Sequence, residues 1–132
     1  MEEGTFLIDS DLKDFMPQFI SHDLVKPFLE KNFLTTNDIK EWSIHQGGAE
    51  LLKKFADEEC LSLTAEQLLP SLKSFNEYGN VSSASCLLVL EKLFNSYKHR
   101  SPFDKGVILG FGAGYYYGMV LYQRCGSIPV LP

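Results

Sequence analysis

Cysteine is scarce in this chain. Its three cysteines, Cys60, Cys86 and Cys125, are an odd number, lie far apart and form no Cys-x-x-Cys pair. That spacing excludes a disulfide framework and a paired-cysteine zinc site, and it fits reduced thiols in the cytosol. Blocks of like charge are absent as well. With 17 acidic against 12 basic side chains and a net charge of −5, the chain has no concentrated basic face, so neither nucleic acid nor an anionic membrane is expected as a partner. The opening Met1-Glu2-Glu3-Gly4 lacks a basic segment leading into an apolar one, so no secretory leader is expected and a cytoplasmic location is. No cluster of metal-ligating residues stands out, and no metal is expected.

One long uncharged stretch exists, from Gly106 to Gln123. It approaches the roughly 20 residues of a spanning helix, and Gly110, Gly114 and Gly118 have GxxxG spacing. Three consecutive tyrosines at its centre, and glycines where a hairpin would need them, argue against a membrane span. Gly110-Phe111-Gly112 after a β-rich segment also suggests a dinucleotide loop, but the segment on its far side is again β-rich rather than helical.

What the chain does have is enough apolar residue, 45% of 132, for one globular core, and we expect a single domain over 1–132 with an irregular tail over 125–132. Thr5 to Ile8 predicts a strand. Leu12 to Asn32 has roughly helical apolar spacing, interrupted by Pro17 and Pro27, which predicts a loop or turn near Pro17 and a kink or restart at Pro27. Ile39 to His45 predicts a strand broken by Gly47-Gly48, and Ala49 to Glu59 a helix. Thr64-Ala65-Glu66-Gln67 has capping-box spacing and predicts a helix start. Val81 to Tyr97 predicts a helix whose uncharged first turns, through Leu90, are buried all round. Val107 to Leu109 and Tyr115 to Tyr122 predict two strands joined by the glycine loop 110–114. The order is that of an α/β fold with a mixed sheet layered by helices.

Three stretches carry chemistry: Trp42-Ser43-Ile44-His45-Gln46-Gly47-Gly48, then Tyr78-Gly79-Asn80-Val81-Ser82-Ser83-Ala84-Ser85, then Gly110-Phe111-Gly112-Ala113-Gly114. Taken singly, Asn80 reads as a helix N-cap, His45 as a core histidine and Cys86 as a small core residue. Together and in this order they resemble the C-terminal halves of type III polyketide synthases and of type III ketoacyl-carrier-protein synthases. The resemblance covers about residues 6–122. His45-Gln46-Gly47-Gly48 mixes the two, with Gln46 similar to one family and Gly47-Gly48 to the other.

The resemblance implies a thiolase-like half-fold, with His45 and Asn80 as two members of a Cys-His-Asn site for decarboxylative Claisen condensation of acyl and malonyl thioesters. It implies that Gly112 and Ala113 bind substrate, their backbone N–H groups holding the acyl carbonyl. It implies no cofactor, the substrates being carried as coenzyme A or acyl-carrier-protein thioesters. The nucleophilic Cys of these families belongs to an N-terminal half, and none of the three cysteines here takes its place. The expected partners are therefore a Cys-bearing N-terminal half or subunit, an acyl-CoA or acyl carrier protein, and a second copy in a homo-oligomer. The alternative is a non-catalytic interaction half-domain that pairs with a complementary condensing-enzyme subunit.

Overall fold

The computed structural model of the chain describes residues 10–96, 101–112 and 116–125. The strand expected at Thr5 to Ile8 and all but the first residue of the tail lie outside them.

The two prolines near the start are handled differently from the expectation. Helix α1, Ser10–Phe19, runs through Pro17 instead of breaking there. A π-helical segment, Ile20–Val25, comes next, and α2, Lys26–Lys31, restarts with Pro27 in its first turn. Pro27 sits where the N–H would have no intrahelical partner, and the wider π turn before it relieves the ring's clash with the preceding carbonyls. Ser21 Oγ donates to the Pro17 carbonyl at 2.6 Å. Continuity through Pro17 is favoured by burial: Met16, Ile20, Val25 and Leu29 all enter the core, which outweighs the one hydrogen bond that the proline forgoes.

The sheet has three strands in the order β1 (Ile39–Ile44), β2 (Lys105–Gly112) and β3 (Tyr116–Gln123). β1 and β2 are parallel; β2 and β3 form an antiparallel hairpin. One face carries Trp42, Ile44, Val107 and Leu109, which pack with Phe55, Leu52, Ile20 and Leu29 into the core. The other face carries Glu41 and Ser43 and is covered in part by α5, Ser85–Ser96, with Ser43 Oγ donating to the Cys86 carbonyl at 2.6 Å.

One helix between the strands is shorter than its sequence suggests, and the next begins where expected. The helix expected over 49–59 ends early: α3 is Ala49–Lys54. The chain then doubles back, Leu63 N donating to the Phe55 carbonyl at 3.0 Å, which puts Leu61 and Leu63 in the core. α4, Ala65–Tyr78, begins with the expected capping box: Thr64 Oγ1 accepts from Gln67 N at 3.2 Å, and Gln67 Oε1 accepts from Thr64 N at 2.9 Å. Further along, α4 closes the free edge of β1. Gln67 Nε2 donates to the Ile39 carbonyl at 2.9 Å and Ser71 Oγ accepts from Ile44 N at 3.1 Å, so edge groups that would invite another strand are occupied.

A buried carboxylate ties the sheet across its width. Glu41 on β1 is fully buried. Arg124 Nε donates to its Oε1 at 2.7 Å and Tyr122 Oη donates to its Oε2, also at 2.7 Å. Arg124 also donates to the Leu93 carbonyl at 2.9 Å and lies 4.7 Å from the Phe94 ring centroid, which binds α5 to the same cluster. Gly106, paired with both Glu41 and Tyr122, lies beneath this crossing. A Cβ there would fall 2.0 Å from the Tyr122 ring.

The ring can swing aside only by giving up its bond to the buried carboxylate. Gly106→Ala is therefore expected to lower the stability by about 1.5–3 kcal/mol, the scale for a hydrogen bond to a charged group. Gly118→Ala, on open surface with nothing near the new methyl, should stay within about 0.5 kcal/mol of the parent. Denaturant midpoints of the two variants check this, and equal midpoints would refute it.

Candidate active site

His45 stands one residue past the end of β1. Its backbone N–H donates to the Leu109 carbonyl at 2.8 Å, so the parallel ladder continues to the site itself. The side chain is half-buried. Its ring meets Phe111 edge-on, with centroids 5.1 Å apart and planes at 87°. Burial holds the imidazole below the ordinary histidine range, and a hydrogen bond with the Ser82 backbone opposes that shift.

Asn80 lies in the turn between α4 and α5. Gly79 closes α4 at φ 70°, ψ −158°, a conformation open to glycine and hardly to any other residue. Asn80 Oδ1 then accepts from Ser82 N at 3.0 Å. Since a backbone N–H can only donate, this bond assigns the amide oxygen to the turn and leaves the NH₂ as the outward donor. The N-cap role read from the sequence does not form: Val81 stands at the N-cap without a side-chain bond, and Asn80 instead closes an Asx-type turn onto Ser82, which orients its donor.

The helix after Asn80 corrects one expectation. A 3₁₀ turn, Ser82–Ala84, comes first, and α5 begins only at Ser85. Its opening is not buried all round. Val81, Ser82, Ser83 and Ala84 are exposed, and Leu87 is 66% exposed. Lack of charge suggests burial, but these small and apolar residues border a cavity and an uncovered part of the sheet.

That cavity has a volume of about 520 Å³ and is lined by His45, Asn80, Ser82, Ser83, Cys86, Gly110, Phe111 and Gly112. His45 and Asn80, 35 positions apart and on different elements, thus share one wall with Gly112. Ala113 lies outside the described residues. Gly110 and Gly112 leave their side of the cavity open, with no atom within 4 Å of where a Cβ would stand. Cys86, expected as plain core, borders the cavity; its thiol donates to the Leu109 carbonyl at 3.4 Å, and burial pushes it above the ordinary thiol range. Phe111 carries no sequence signal of its own beyond its place in a glycine motif.

Among the described residues, no group of three or more His, Cys, Asp or Glu is placed to hold a metal, and no helix is long and apolar enough to cross a membrane. The uncharged stretch from Gly106 is strand and hairpin, and β3 rather than a helix comes after the glycine loop.

His45 makes stability depend on pH with a definite sign. Its folded form binds a proton less readily than the unfolded chain, whose histidine has the ordinary value of 6.5. The unfolded state therefore takes up more protons as pH falls, and stability is full above about 6.5 and declines below it. Denaturant midpoints should drop between pH 8 and pH 5.5, and His45→Gln should reduce that drop. An unchanged slope in the variant would assign the loss to other groups.

The comparisons with known proteins point one way. The family model "Chalcone and stilbene synthases, C-terminal domain" matches residues 2–125. Acylalkylpyrone synthase csyB of Aspergillus oryzae is 34% identical over 99 residues, covering 74% of this chain and 24% of that protein. Polyketide synthase 37 of Dictyostelium discoideum is 31% identical over 123 residues, 91% of this chain and 4% of that protein. The chain thus spans a quarter or less of the length of these relatives. The crystal structure of PKS-I from the brown alga Ectocarpus siliculosus superposes with a TM-score of 0.77 at 24% identity, over 88% of this chain and 31% of that one, which shows the thiolase-like fold.

Proposed function

Because this chain belongs to the chalcone and stilbene synthases, as a C-terminal domain of that family, we propose that it supplies the His and Asn of a Cys-His-Asn site that condenses acyl and malonyl thioesters. Of the two families that the motifs resemble, the matches fall on the type III polyketide synthase side. The observation that carries the proposal is the shared cavity: His45 and Asn80 reach one open space beside the glycine end of β2.

In this reading the nucleophilic cysteine comes from a complementary half. Cys86 is a poor candidate, because its thiol is held on a carbonyl and burial disfavours the thiolate. His45 rests neutral, because burial disfavours its protonated form, so a ring nitrogen accepts the proton of the incoming thiol. The thiolate attacks the acyl thioester, the C–S bond to the carrier breaks, the carrier leaves as a thiolate that takes its proton from solvent, and the acyl group is held on the cysteine sulfur. A malonyl thioester then loses carbon dioxide, and the electron pair of the broken C–C bond becomes an enolate. His45, now protonated at that nitrogen, and the Asn80 NH₂ donate to the enolate oxygen. The enolate carbon attacks the acyl carbonyl, a C–C bond forms, the C–S bond breaks, and the thiolate returns to the imidazolium. Gly112, with no side chain in the way, lets substrate approach the backbone.

The uncovered part of the sheet is where the complementary half would lie. Tyr116 is 79% and Val120 55% exposed on β3, and Leu87 is 66% exposed on the adjoining helix. These exposed apolar side chains are ones that a covering half would bury. The same surface suits the second reading, an interaction half-domain without catalysis. The two part on Asn80, which the second needs only as a turn residue.

In the enzyme assembled with its Cys-bearing half, Asn80→Ala should slow malonyl decarboxylation about 10²-fold or more, the scale for losing one oxyanion donor. Its cost in stability should be near the ~1 kcal/mol of one lost hydrogen bond. Carbon dioxide release from labelled malonyl thioester, normalised to folded protein, measures it. Full activity per folded molecule would leave Asn80 as a turn residue and end the catalytic reading. Assayed by itself, the chain should give no multiple turnover.

A further inference from the structure

We infer that Phe111 is a positioning residue for His45: it transmits the rigidity of the core to the imidazole and fixes which ring nitrogen faces the cavity. The inference rests on the catalytic reading of His45 and extends it to a residue outside the His and Asn pair.

Three contacts carry the argument. The Phe111 ring meets the His45 ring edge-on at 5.1 Å, with planes at 87°, the favoured geometry for two aromatic rings. On its other side it lies 6.3 Å from Phe55, which is fully buried in the core. It also lies against the backbone at Gly47, where a built Cβ would meet its Cε2 at 3.5 Å. Phe111 is thus held between the core and the turn just after His45, and the imidazole leans on it.

The plane of His45 matters because its two ring nitrogens are distinct, and only one turned into the cavity that the residue lines can meet an incoming thiol. A rotated ring would present the wrong nitrogen to an incoming thiol. Phe111 also excludes water from one side of the imidazole, in keeping with burial as the main cause of its lowered proton affinity. No carboxylate or cation lines the cavity among the described residues. The other titratable group on its wall, the Cys86 thiol, is shifted upward and stays neutral where His45 titrates.

The test is side-chain nitrogen NMR of the histidines in the chain, taken through a pH titration in Phe111→Leu, Phe111→Ala and Phe111→Tyr. In the parent, His45 should show one dominant tautomer and a midpoint below the ordinary range. Leu and Ala should mix the tautomers and move the midpoint up, Ala more than Leu, while Tyr stays close to the parent. Parent-like tautomer and midpoint in a folded Leu variant would overturn the inference, as would a parent His45 that titrates ordinarily. If the Ala variant does not fold, the Leu variant decides. In the assembled enzyme, Phe111→Leu should lower kcat about tenfold or more with little change in KM, as misplacement of a catalytic group does. If the assembled parent enzyme proves inactive, the catalytic reading fails while the NMR result still decides what Phe111 does to His45.

Discussion

The parallel pairing of β1 with β2 is the constraint on which the site depends. Residues some sixty positions apart come into register, from Ile39 with Lys105 to Ile44 with Leu109. The last bond of the ladder, His45 N to Leu109 O, is already part of the cavity. Because side chains alternate along a strand, a slip of one residue would turn Trp42 and Ile44 out of the core. It would also move His45 away from Gly110 and Gly112. The burial of Trp42, Ile44, Val107 and Leu109 therefore helps set the geometry of the polar site, since a slip by one residue would expose them.

Around that pairing, polar groups are used to close what hydrophobic burial leaves open. Ser71 and Gln67 occupy the free edge of β1, and Ser43 holds the start of α5 against the sheet through the Cys86 carbonyl. The Glu41 cluster joins β1 to the far end of β3 and to the last turns of α5. A buried carboxylate is costly unless its lone pairs are used. Here a tyrosine and an arginine use them, and the return is geometric: the sheet and α5 are fixed at the end away from the cavity. The two ends of α5 thus do different work, one clamped and one shaping the site.

Much of this was legible in the sequence, but unevenly. The capping box at Thr64 and Gln67 and the strand before His45 are local signals and appear where the residues indicate; the hairpin forms as well, but β2 runs on through Gly112, into the stretch read as its glycine loop. The motif around His45, the motif around Asn80 and the glycine loop were each informative because their order and type agree with one family. Pro17 misled because local propensity was outweighed by the burial of its neighbours. The start of α5 misled because an uncharged stretch can border a cavity as readily as a core. Glu41, Tyr122 and Arg124 show the limit most clearly. Tyr122 and Arg124 lie 81 and 83 positions from Glu41, and nothing in the sequence near Glu41 announces a partner. The need for Gly106 emerges only once Tyr122 is seen to cross it.

The turn that carries Asn80 departs from ordinary local preference twice within four residues. Gly79 and Ser82 both have positive φ, at 70° and 59°, and Ser82 has a Cβ to oppose it. A plain helix start would need neither, since a capping residue reaches its helix from ordinary extended backbone. Such strain persists where surrounding contacts over-determine it, and here one of those contacts comes from the site itself: Asn80 Oδ1 takes the N–H of Ser82. The strained segment thus assigns the amide of Asn80, and Ser82 lines the same cavity as His45. That ties the unusual backbone to the proposed chemistry rather than to the stability of α5.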